Sequence, residues 1–124
     1  MLDIDIIVID PENEYKDLSD KVWGQYVNIA VNSSQYVNPF DLPPQIEDRD
    51  YRPWDLLRSQ IMSLIGLFNV LLWWLSPEDE AILDKAIQAS YGLKEITFDD
   101  DSTEWKTVPR MEDLLYTLES MTWW

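Results

Sequence analysis

The chain has 124 residues, 24 Asp and Glu against nine Lys and Arg, and a formal net charge of -15. It has no Cys and no His, so disulfides, Cys/His zinc sites, thiol nucleophiles and Ser-His-Asp triads are excluded by inventory. Such an acidic chain repels phosphate backbones, so direct nucleic-acid binding by this segment is not expected.

The first ten residues, MLDIDIIVID, lack a basic region and carry three aspartates, unlike a signal peptide. Ile4, Ile6, Ile7, Val8 and Ile9 form a β-branched run that ends at Asp10-Pro11. Near-continuous apolar residues of this kind predict a strand buried on both faces, as in a parallel sheet. Pro11 cannot donate to a ladder and would end it. Residues 15–21 suit a short helix. Residues 25–31 alternate, with Val27, Ile29 and Val31 on one side, which predicts a second strand before the turn signal Asn32-Ser33-Ser34. Residues 38–44, NPFDLPP, read as extended and proline-rich, and residues 45–53 as an acidic linker.

The pattern then becomes helical. Leu57, Ile61, Leu64, Phe68, Leu71 and Leu75 share one stripe. The apolar stretch over residues 61–75 is shorter than the ~20 residues of a spanning helix and is broken by Ser63, Gly66 and Asn69, so a buried helix is expected. Ser76-Pro77-Glu78-Asp79 is a helix start: a cap, a proline in the first turn, and acids at the positive end of the dipole. Ile82, Leu83, Ala86, Ile87 and Tyr91 form the second helix's apolar face, with Gly92 as its stop. Residues 97–106 read as a polar loop. A third helix should begin near Pro109, with Met111, Leu114, Leu115 and Leu118 inward. The expected fold class is α/β: a slice of a parallel sheet with two strands, then a mostly helical three-helix part. The expected division is 1–44, linker 45–53, and helical subdomain 54–124.

Ligands of open α/β sheets bind beyond the carboxyl ends of strands. Asp10, Glu12 and Glu14 would stand at such an end, where carboxylates can hold magnesium through water, orient a water, or touch a ribose. The plainer reading is that Asp10 and Asn13 cap the following turn while the glutamates face solvent. Asp99-Asp100-Asp101 lacks the alternating spacing and mid-loop glycine of an EF-hand and reads as a solvated loop. Asp3 and Asp5 read as strand-edge charges. No GxxxxGK[ST] loop is present, so the chain shows no means of hydrolysing a nucleotide. An acidic interaction module, acting as adaptor or inhibitor through its helical face, is the alternative from another class. A carboxylate-based metal hydrolase is a third, with too few converging ligands to favour it.

Five stretches, VIDPENEYKDL, GQYVNIA, VNPFDLPP, LSPEDEAILDKAI and PRMEDLLYTLESM, resemble in that order the conjugation ATPases of type IV secretion systems. These are of the TraC/TrsE type, within the HerA–FtsK group of P-loop motors. The resemblance implies an internal fragment of a RecA-like motor domain, lacking Walker A and Walker B, and itself inactive. It places Asp10, Glu12 and Glu14 at the rim of the parent's nucleotide pocket. It implies ATP and Mg2+ in the parent and none for the isolated chain. Expected partners are the rest of the motor domain, neighbouring subunits of a homo-hexamer, and other secretion-system proteins. The assembly would work in the cytoplasm at the inner face of the bacterial membrane, powering pilus assembly or transfer of DNA or protein.

The family pattern tends to place glycine where this chain has Trp23, Trp54, Trp73, Trp74 and the terminal Trp123 and Trp124. Seven Trp against three Gly reverses the usual usage. Two explanations stand side by side: a gene whose UGA codons mean glycine, or true aromatic packing at a subunit interface.

Overall fold

The computed structural model describes residues 4–43, 53–98 and 106–121, with the side chains of residues 53 and 54 left aside. Four helices form: α1 (Lys16–Lys21), α2 (Pro53–Leu72), α3 (Pro77–Leu93) and α4 (Met111–Ser120). The chain divides into two compact units, Met1–Val37 and Asn38–Trp124.

The expected α/β class is corrected to all-α, because the described residues contain four helices and no strand. Residues 4–9 and 25–31 have the composition of strands but form no ladder. The reason is non-local. A strand is stable only when another strand satisfies its backbone groups and a face is covered. Neither condition is met here. Ile4, Ile6, Ile7, Val8 and Ile9 are between 54% and 92% exposed. Val27, Ile29 and Val31 are exposed too, and a turn closes from Ser33 N–H to Ala30 O at 3.0 Å. The sheet slice therefore does not form among the described residues, and those of unit 1 hold α1 and connected turns.

The second unit has a true core. Leu57, Ile61 and Leu64 of α2, Leu83, Ala86, Ile87 and Tyr91 of α3, Ile96, and Leu114 of α4 are buried around Phe40. Phe68 and Leu75 pack partly against them, whereas Leu71 of the expected stripe is exposed. In α4 the inward positions are Leu114, Thr117 and Leu118; Met111 and Leu115 face out. Central to the unit, α3 packs on both α2 and α4.

Local chemistry fixes the helix ends. Asp79 N–H donates to Ser76 Oγ at 3.1 Å and Ser76 N–H donates to Asp79 Oδ2 at 3.2 Å, a reciprocal box that starts α3. Asn69 Nδ2 reaches Glu80 Oε1 at 2.7 Å and ties the two arms of the α2–α3 hairpin. Gly92 lies inside α3 and does not stop it; the stop is at Lys94 and Glu95. There Glu95 N–H donates to Gly92 O and Ile96 N–H to Tyr91 O, and Ile96 is buried. At the start of α4, Asp113 Oδ2 accepts from Arg110 N–H at 2.8 Å and Oδ1 pairs with Lys94 at 3.0 Å. The Arg110 amide first, then the Lys94 ammonium, hold the Asp113 carboxyl below the usual aspartate range.

Residues 38–41 do not run extended as expected. They form a turn, with Asp41 N–H donating to Asn38 O at 3.1 Å, and Phe40 is carried into the core. Tyr91 Oη donates to Phe40 O at 2.7 Å, and the two rings lie 5.9 Å apart, tilted by 55°. Burial, and then the nearby Asp41 charge, push the Tyr91 hydroxyl well above its ordinary pKa, so it stays a donor. Removing that hydroxyl leaves a buried carbonyl without a partner. Tyr91→Phe should therefore destabilise the chain by about 1–3 kcal/mol, read as a lower urea midpoint with an unchanged slope.

Candidate functional site

The residues singled out for chemistry lie in the turn between the apolar run and α1. Asp10 is partly buried; Glu12 and Glu14 are exposed. The Asp10 carboxylate accepts a hydrogen bond from Tyr15 N–H at 2.9 Å, folding back over its own loop. That amide is the largest cause of an Asp10 pKa below the usual aspartate value. Desolvation opposes it, and the Glu14, Asn13 and Glu12 amides add to it.

The turn turns back because of Asn13, whose φ of 60° is left-handed. Asn tolerates that region better than other residues with a Cβ. Its Oδ1 accepts from Tyr26 Oη, and the Lys16 ammonium sits 5.9 Å from the Tyr26 ring centroid. Tyr26 thus braces the turn from the far side of α1. Sequence reasoning named Asn13 as a cap but missed Tyr26. No periodic signal marks a tyrosine that meets a turn 13 residues away.

The structure does not gather the three carboxylates onto one point. Asp10 faces backbone N–H groups, while Glu12 and Glu14 are exposed. Among the described residues no group of three Asp or Glu side chains is placed to hold a metal ion. Asp5 is exposed, and Asp3 and Asp99-Asp100-Asp101 lie outside the described residues. An open groove beside Leu93, Lys94, Glu95, Lys106 and Thr107 holds two lysines. Both are engaged, Lys94 with Asp113 and Lys106 with Glu95 O at 2.6 Å.

The other expected landmark, NPFD, is a structural clamp. Asn38 Nδ2 donates to Pro109 O at 2.9 Å and Gln60 Nε2 donates to Pro39 O at 2.7 Å. With the Tyr91 bond, the turn is held from α2, α3 and the segment before α4. Asn38 and the Pro39 and Phe40 carbonyls are thereby committed to the fold, while Asp41 is exposed.

No family model matches the chain, and no curated protein or solved structure is significantly similar to it. The residues 55–72 of α2 are long and apolar enough, with a mean hydropathy of 1.3, to cross a membrane by length and composition. Leu57, Ile61 and Leu64 in that stretch are nevertheless packed in the core.

Because the charged form of Asp10 is the one its backbone donors favour, its contribution to the turn is complete above the ordinary aspartate pKa. It is lost as pH falls through the lower folded value. The protection factor of the Tyr15 amide, taken against its intrinsic exchange rate at each pH, should accordingly fall on acidification below the ordinary aspartate range, and fall at neutral pH in Asp10→Ala. Glu12→Ala and Glu14→Ala should leave it unchanged.

Proposed function

We propose that this chain works as a non-catalytic segment of a conjugative type IV secretion ATPase, one that powers pilus assembly or the transfer of DNA or protein. The observation that carries the reading is the order of the five motifs along the chain. Two features support it. The NPFD residues form the turn that the helical unit closes around, so that motif has a physical task. The apolar run over residues 4–9 lies uncovered immediately before Asp10, as expected of surface that further protein covers.

In this reading ATP and Mg2+ are bound by Walker residues outside this sequence. Asp10 shapes the turn at the pocket rim by capping it, with Glu12 and Glu14 beside it. The remaining motor domain, neighbouring subunits of a homo-hexamer and other secretion proteins are the partners. The setting is the cytoplasmic face of the inner membrane. The acidic interaction module remains the competing reading, since Val70, Leu71 and Leu72 leave the last turn of α2 apolar and exposed.

Calorimetric titration separates the two. The isolated chain should show no binding of Mg-ATP at micromolar concentration. A version extended on both sides through the natural reading frame should bind it. Micromolar affinity in the isolated chain, or an upstream frame without a GxxGxGK[ST] loop, would overturn the proposal.

A further inference from the structure

Left-handed backbone is where glycine is expected, since a Cβ there costs roughly a five- to thirtyfold loss in equilibrium constant. Among the described residues the left-handed positions are Asn13, Trp23, Trp73 and Glu95, with φ of 60°, 54°, 64° and 59°. None of the chain's glycines, Gly24, Gly66 and Gly92, has a positive φ. The usual assignment is inverted.

Two of the four exceptions have local reasons. Asn is the residue most at ease there after glycine. Glu95 is held by the helix stop around it: its own N–H bonds to Gly92 O, the next N–H bonds to Tyr91 O, and Ile96 anchors in the core. Its flexible side chain extends into solvent at little cost.

Trp23 and Trp73 have neither a buried residue anchoring the stop beside them, as Ile96 does for Glu95, nor a flexible side chain. Trp23 follows the end of α1, where Gly24 N–H reaches back to Ser19 O at 2.8 Å across it. That is the position at which helices favour glycine. Trp73 follows the last residue of α2, and the chain must turn from there to the Ser76 cap within a few residues. A large aromatic justifies an unfavourable backbone only by what its ring buries. These rings are 94% and 90% exposed, and the neighbouring Trp74 is 85% exposed. They bear the backbone cost and bury almost nothing.

We infer that positions 23 and 73 are glycine in the natural protein, encoded by UGA and decoded by a glycine-charged tRNA. The backbone at both sites suits that residue, and a glycine removes both the left-handed strain and the exposed indole. Aromatic packing against a neighbouring subunit is the competing explanation, and it requires tryptophan in the natural chain.

Peptide sequencing by tandem mass spectrometry of the protein from its source should find glycine at 23 and 73. Tryptophan at either position would overturn the inference. Independently, Trp73→Gly in the recombinant chain should raise the folding equilibrium constant roughly fivefold or more in urea. A lower constant would overturn the backbone argument, because it would mean the indole is stabilising where it stands.

Discussion

The helical unit is organised around one buried contact, the Tyr91 hydroxyl on the Phe40 carbonyl. Phe40 belongs to a turn, not to a helix, and a turn brings unpaired backbone groups with it. Burying a carbonyl without a partner is costly, so Phe40 can sit in the core only because α3 supplies a donor there. Gln60 solves the same problem for Pro39, donating from Nε2 to its carbonyl, and Asn38 Nδ2 ties the turn to the Pro109 carbonyl. The turn in this way joins α2, α3 and the entry to α4, and among the described residues α3 packs on both α2 and α4. Beside it, Ser90 Oγ lies 2.8 Å from Ala86 O and 3.1 Å from Thr117 Oγ1. Thr117 directs its own proton to Asp113 O, so the single Ser90 proton serves one neighbour at a time.

The acidity of the chain has a structural side. Several carboxylates are placed where backbone donors are unpaired: Asp79 and Asp113 in the first turns of α3 and α4, and Asp10 over the turn before α1. Each satisfies an N–H that a helix or turn leaves open and complements the positive end of a dipole. The charge of the chain is thus not only solvation. A part of it is committed to starting elements, which is why an acidic stretch such as SPED is compatible with a precise helix boundary.

Legibility followed the range of the interaction. The start of α3 could be read because Ser76, Pro77 and Asp79 act on their immediate neighbours. Leu57, Ile61, Leu64 and Phe68 could be read because helical period places them on one side whatever they meet. Leu71 continues that period but lies exposed, although Leu75 beyond it packs partly against the core. The stop of α3 was misread at Gly92 because the deciding contact is Ile96 entering the core, beyond the helix. Phe40 was missed for a related reason: proline-rich spacing suggests extension, while its destination is a tyrosine 51 residues away. At the candidate site, Asp10 could be read as a capping residue from the Asp-Pro-x-Asn pattern. The brace from Tyr26 could not, because nothing local requires it.

Two departures from ordinary folding remain, and they differ in kind. The uncovered residues 4–9 are locally consistent: β-branched, regular, and lacking only something to cover them. Their defect is non-local, and another protein surface can remove it without changing a residue. Trp23 and Trp73 are the reverse. Their backbone is fixed by the need to end a helix and reverse the chain, and no added partner changes the sign of φ. A covering surface would bury their rings but leave the left-handed strain in place. Only the side chain itself can remove that strain, so the exposed isoleucines bear on what surrounds this chain, whereas the tryptophans bear on what the chain is made of.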